Sequence, residues 1–276
     1  MSFWARFCRN RSAVIGLVIL SIVIGIAAFA NVLYPEDPFK LVGRSMSPPG
    51  ENGFLFGSDT LGRDVAAGMA HGARVSLLIG LLATSVAVSL GVLLGAFAGY
   101  FGGWIDDVLM RITEMFQTIP SFIFAILIVA IVKPSINSVI LAIAVVSWPA
   151  VARLVRGEFM SLRNREFVQA CHIIGMSDWR IILREILPNC LSPIIVTGSL
   201  MVATAILIES GLAFLGLGDP NIISWGFQIG AGRTVLRSAW WVCTFPGLAI
   251  MLTVLAINLV GEGLNDALNP RLRERT

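Results

Sequence analysis

The chain alternates long apolar runs with short polar connections. Six runs lie near 13–33, 75–101, 110–132, 137–155, 190–217 and 244–264. Each is long enough to cross the hydrocarbon of a bilayer as a helix, which takes roughly 20 apolar residues. Between the fourth and fifth runs the pattern changes. Glu166 to Pro188 form a polar, arginine-flanked island that holds two short helical patterns. Phe167, Ala170, Cys171 and Ile174 share one stripe at i, i+3, i+4 and i+7, and Trp179, Ile182, Leu183 and Ile186 share a second. The spacing predicts two helices meeting at Gly175, where glycine can take the left-handed conformation that ends a helix, with Ser177 or Asp178 capping the next. Pro188 is expected to close the second pattern before the fifth span. A helix-turn-helix this short buries too little surface to hold itself, so its apolar stripe needs a partner.

Composition places the chain in a membrane. Of its 276 residues 56% are apolar and 13% charged, with a mean hydropathy of +0.83; a soluble domain carries about 25% charged residues. The reading is an all-α integral membrane protein of six transmembrane helices. Lysine occurs only at Lys40 and Lys133, and the arginines flank apolar runs instead of forming a stripe, so the basic balance does not point to nucleic acid. With the N-terminus inside, the cytoplasmic connections hold 13 of the 20 lysines and arginines and the outer ones 7. The excess predicts cytoplasmic termini and a cytoplasmic Glu166–Pro188 loop. Arg6, Arg9 and Arg11 before an apolar run ending near Ala28-Phe29-Ala30 resemble a secretory signal, but the run continues to Leu33 and predicts an uncleaved anchor.

Several positions stand out from this background. Residues 34–72 form the larger outer segment, and Gly57-Ser58-Asp59-Thr60-Leu61-Gly62-Arg63-Asp64 within it reads either as turns capping an interfacial helix or as a functional motif. Gly91, Gly95 and Gly99 clear one helix face for close approach, within the subunit or at a seam between subunits. Pro120 and Pro149 are expected to interrupt the third and fourth spans, and they are weak candidates for pathway residues or moving parts. Glu209, in the fifth span, is a third candidate, because a charge in a span faces protein or water; a buried structural hydrogen bond is the equal alternative. Asn258, Glu262 and Asp266 mark one polar face of the last span.

Other chemistry is largely missing from the pattern. Neither lysine sits in a Gly-x4-Gly-Lys-Ser/Thr context, so the chain is not expected to hydrolyse ATP by that route. Cys8, Cys171, Cys190 and Cys243 lack metal or redox spacing, and His71 and His172 fall on opposite sides of the membrane, so no metal site and no catalytic residue is expected.

The Glu166–Pro188 loop resembles the cytoplasmic loop of permease subunits of ATP-binding-cassette importers, Glu-Ala-Ala-x3-Gly-x9-Ile-x-Leu-Pro. Ala170, Gly175, Leu187 and Pro188 match, whereas Gln169, Cys171 and Glu185 depart. Phe56 to Asp64, Phe214-Leu-Gly-Leu-Gly, Ser224-Trp225-Gly226 and the ending Asp266-Ala-Leu-Asn-Pro-Arg271 resemble the second permease of dipeptide, oligopeptide and nickel importers, with Ser58 and Asn269 as departures. The resemblance implies a type I importer permease, not itself an enzyme, in a bacterial inner membrane. It would have an anchor and outer segment at 1–72 and a five-span core at 73–276 with a coupling loop at 156–188. Implied partners are a second, similar permease, an external substrate-binding protein, and two cytoplasmic ATPase subunits that hold ATP and Mg; this chain would bind no cofactor. Glu166, Ala170, Gly175, Trp179, Ile186, Leu187 and Pro188 would couple to the ATPase. Peptides, glutathione-like compounds and nickel chelates remain open as substrates, and a secondary transporter or channel is the rival class.

Overall fold

In this computed structural model, which describes residues 3–268, the apolar runs fold as helices that cross one bundle. A short helix α1 (Phe3–Arg9) leads into α2 (Arg11–Ala28), capped by Asn10, whose side chain accepts from the Ala13 amide at 3.1 Å. The first run is not one helix to Leu33. It breaks at Phe29, and α3 (Ala30–Leu33) adds one more turn. After an irregular segment, α4 (Val65–Phe101) runs for 37 residues. It starts ten residues before the apolar run because Asp64 caps it, accepting from the Ala66 amide at 2.8 Å. His71 therefore lies inside this helix, and so does the 72/73 boundary expected from the sequence.

The third run is a broken span, not a single helix. α5 (Gly103–Gln117) and α6 (Ser121–Val132) meet at 83°. Pro120 stands at the break, where it restricts Ile119 and supplies no amide hydrogen. The fourth span does not follow that rule. α7 (Ile136–Arg163) starts from a capping box of Ser135 and Ser138 and passes through a buried Pro149 without ending. It also outruns its apolar stretch, because Arg163 donates from Nη1 to the Gly99 and Tyr100 carbonyls of α4.

The loop helix α8 (Glu166–Ile173) is followed by α9 (Asp178–Phe214), which corrects the expectation for Pro188. No helix ends there. Ile181–Ile186 form a π-helical turn in which the Leu187 amide reaches back to the Ile182 carbonyl. That wider turn restarts the α-helix with Pro188 in its first turn, a place where a missing amide costs little. The Asn189 side chain donates to the Glu185 carbonyl at 2.6 Å. A short helix α10 (Trp225–Gly232) and the last span α11 (Trp241–Leu268) complete the described chain; the Asn269-Pro270-Arg271 ending lies outside the described residues.

Counting the broken pair once, six segments among the described residues are long and apolar enough to cross a membrane. Glycine makes the tightest seam. Cβ atoms built on Gly91 and Gly99 would stand 2.5 Å from Val151 Cβ and 2.6 Å from Phe159 Cβ, and one on Gly95 would collide with the Ala152 carbonyl. Of the two readings of these glycines, packing within the subunit is the one the fold realises: α4 and α7 run parallel in contact. α2 lies antiparallel on α11, with Gly16 against Ala256 and Leu259. Phe7, Ala13 and Ala267 share one small core, so both described ends of the chain lie at the end of the bundle that bears the Glu166 loop.

Candidate functional site

The loop is built from the Gly175 turn outward. Gly175 has φ +74. Its amide donates to the His172 carbonyl and the Met176 amide to the Cys171 carbonyl, both at 3.0 Å. That pair of bonds is a Schellman closure, as the sequence predicts for a glycine at this place. Ser177 stands at the cap position of α9, yet its side chain makes no capping bond.

One face of the loop is locked into the spans. Val168, Ile181, Ile182 and Ile186 are buried together with Val155 and Phe159 of α7 and Cys190 of α9. Two polar or aromatic ties from α4 reinforce this wedge. Tyr100 Oη donates to Asp178 Oδ1 at 2.6 Å, and the Trp179 ring meets Phe97 edge-on at 5.5 Å. The opposite face is bare. Ile173 and Ile174 are 86% and 74% exposed, and Trp179 and Leu183 are 57% and 56% exposed.

The expected coupling residues therefore divide by position. Glu166 and Ala170 are exposed on α8, and Trp179 shows one face outward. Ile186 is fully buried, Leu187 half-buried and Pro188 exposed. In α8 the predicted stripe mostly faces outward: Phe167, Ala170 and Ile174 are exposed, and the inward anchor is Val168, one position off it. Sequence reasoning missed Val168, Ile173, Phe97 and Tyr100. Ile173 had a local signal, since two adjacent isoleucines end a helix in a polar island. The Tyr100–Asp178 pair, 78 residues apart, had none.

The pathway candidates lie apart from one another. Pro149 is buried, and Pro120 is exposed at the α5–α6 bend. Glu209 is 3% exposed; Ser210 Oγ donates to its carboxylate at 3.4 Å, and the hydroxyls of Ser76 and Ser224 face it. These serines come from α4, α9 and the start of α10, so the residue ties three elements. On the last span, Asp266 accepts from Asn10 at 2.9 Å, while Asn258 and Glu262 are exposed.

At the far end of the bundle the Gly57–Asp64 stretch forms turns. Asp59 Oδ1 accepts from the Leu61 and Arg63 amides, and Ser58 is buried, with Oγ donating to the Arg44 carbonyl at 2.6 Å and accepting from the Ser47 amide. Trp241 Nε1 closes the stretch with a bond to the Ser58 carbonyl at 3.1 Å. Burial pushes the Asp64 carboxyl above its ordinary pKa, although amides of α4 stabilise its charge.

The family model described as binding-protein-dependent transport system inner membrane component matches residues 91–274, which include the broken span, the loop and its supports. The chain belongs to this family of importer permeases. A second family model, the N-terminal TM domain of oligopeptide transport permease C, matches residues 1–49. Among curated permeases, the chain is 45% identical to the dipeptide transport system permease of Escherichia coli K12, over 99% of this chain and 93% of that one. It is 40% identical to the di/tripeptide transport system permease of Pseudomonas aeruginosa, over 98% and 92%. Inward-facing structures of the MetNI methionine transporter share the fold, with TM-scores of 0.56 and 0.58 at 15% and 17% identity. They cover 71% and 69% of this chain, and this chain covers 96% and 91% of theirs. Membership of the permease family removes the secondary-transporter reading, and the many apolar helices make the chain a multi-pass membrane protein.

Proposed function

We propose that this chain is one of two dissimilar permeases of an ATP-driven importer of di- and oligopeptides. The loop would be received by a cytoplasmic ATPase subunit. One observation carries the coupling part: a helical pair wedged into the span core on one side shows Ile173, Ile174, Trp179 and Leu183 on the other. An apolar patch of that kind, outside the spans, is a docking surface for a protein partner. The arginine excess at this end supports its cytoplasmic placement and that of both termini. ATP and Mg would be held by the ATPase subunits, and an external binding protein would deliver substrate at the far end. The peptide assignment is supported by the 40–45% identity to dipeptide and di/tripeptide permeases along the whole chain.

In this reading Glu166, Ala170 and Trp179 belong to the contact face, Gly175 sets its angle, and Ile186, Leu187 and Pro188 join it to the fifth span. Closure of the ATPases would move the loop as one piece with α4, α7 and α9, through Tyr100–Asp178 and Arg163. The test is to purify the tagged chain from its native host and reconstitute the complex in vesicles. The expected result is co-purifying ATPase and second permease, with ATP-dependent uptake of labelled dipeptide when binding protein is present. Uptake without ATPase subunits would contradict the proposal.

A further inference from the structure

A cleft of about 850 Å³ opens between α5 and α7, lined in part by Asp107, Arg111, Glu114, Arg153 and Arg156. Its height in the bundle follows from two contacts. Near its start, α5 is tied to α7 by the Asp106–Arg156 ion pair, with Nη2 to Oδ2 at 2.6 Å. Near its end, Phe116 packs edge-on against Trp148 at 5.3 Å. Trp148 and Arg156 are separated by two turns of α7, about 12 Å at 1.5 Å per residue. Glu114 thus sits well inside the third span, and Asp107 close to the loop end.

Charges on a span face protein or water, because lipid penalises them strongly. Asp106 and Arg156 satisfy each other inside this chain. Arg111 and Glu114 form a looser pair at 3.8 Å, 82% and 65% exposed, and Arg153 is exposed and in no ion pair among the described residues. Glu114, about two turns along α5 from Asp106, is the group that lipid penalises most, and its face of the helix turns to protein or water in an assembled transporter. The same helix shows Trp104, Val108, Ile112 and Met115 outward, apolar surface suited to sealing such a route against a second subunit.

We propose that the α5–α7 cleft is this chain's wall of the translocation route at the loop end, and that it takes zwitterionic peptides. Arg153 meets the peptide carboxylate, and Glu114 and Asp107 meet the ammonium. Both signs of charge line one cleft, which is what a substrate with a cation at one end and an anion at the other requires. This rests on the importer reading above, and it moves the pathway from buried Pro149 and Glu209 to the α5–α7 face.

The experiment uses the assembled complex in vesicles, with the four native cysteines replaced. Glu114→Cys should react with a charged, impermeant thiol reagent applied at the loop side, and saturating dipeptide should slow the reaction. Ile22→Cys, on an exposed apolar position of α2, should stay inert. Equal reaction at the two positions overturns the cleft as a route. In a second arm, Arg153→Glu should cut uptake of a free dipeptide by about tenfold, the effect of losing one charge-assisted hydrogen bond. Arg153→Lys should keep it, and a C-terminally amidated dipeptide should lose little in either variant. An Arg153→Glu complex that imports free and amidated dipeptide equally well overturns the assignment of Arg153. A wild-type complex that binds ATPase but imports no dipeptide sinks the peptide reading alone, because the labelling arm still scores the cleft.

Discussion

The two ends of the bundle solve the same problem in opposite ways. Each must hold a non-spanning segment against the spans. At the far end, residues 34–64 and α10 are held by hydrogen bonds that terminate on backbone: Trp225 Nε1 to the Met69 carbonyl, Gln228 Nε2 to Val65 and Trp241 Nε1 to Ser58. The large rings that make two of these bonds are themselves buried. At the loop end the inner face is an apolar wedge, the polar ties are few, and Phe167, Ile173, Ile174, Trp179 and Leu183 stand in the open on or at the end of two helices. Exposed apolar side chains occur at the far end too, Val32 and Leu33 on α3 and Leu41, Leu55, Leu61 and Trp240 on irregular backbone. The far end is fastened by buried rings that bond to backbone, whereas the loop end leaves one apolar face of a helical pair uncovered.

Substitutions can break that contrast. The largest effect is expected for Phe159→Ala, which empties a fully buried site beneath the loop. It should cost about 3–5 kcal/mol and remove both folding stability and ATPase binding. Thermal unfolding in detergent and co-purification read the two losses. Trp241→Phe sharpens the other side: it removes one hydrogen bond, about 1 kcal/mol, and should lower the unfolding midpoint while leaving the ratio of transport to ATP hydrolysis unchanged. Tyr100→Phe should cost about as much stability or less, but uncouple. Its complex should hydrolyse ATP with less uptake per ATP, because Asp178 loses its tie to α4. The smallest effect on stability belongs to the double variant Ile173→Ser and Ile174→Ser. Both side chains are exposed, so unfolding should move within about 0.5 kcal/mol, yet ATPase co-purification should fall sharply. Unchanged co-purification would mean that this face meets lipid headgroups.

How much of this was legible depended on how local each cause was. Gly175 was legible because left-handed backbone after a helix selects one residue type. The six crossings were legible because hydrocarbon thickness fixes run length. Pro120 was read correctly as an interruption, but a rule about prolines cannot supply an 83° bend. The same rule misread Pro188, because the compensation is a π-helical register shift in the turn before it. The helix α10 was missed. Its apolar, glycine-containing stretch is too short to read as a span, and it is held in place by Ser76, Val65 and Met69, all distant in sequence. The fate of Glu209 was likewise set by three serines on three elements.

In the proposed coupling, the shape of the Gly175 turn carries motion between the spans and a partner. Open space surrounds this residue, so a side chain there would meet no neighbour and its effect must come from backbone alone. At φ +74 a β-branched residue is strained, whereas asparagine tolerates the conformation. The direct measurement reconstitutes Gly175→Val and Gly175→Asn complexes and compares membrane level, ATPase co-purification and peptide-stimulated uptake. Normal membrane levels are expected for both, with co-purification and uptake lost in the valine variant and largely kept in the asparagine variant. Wild-type uptake by Gly175→Val at a wild-type membrane level would contradict this coupling.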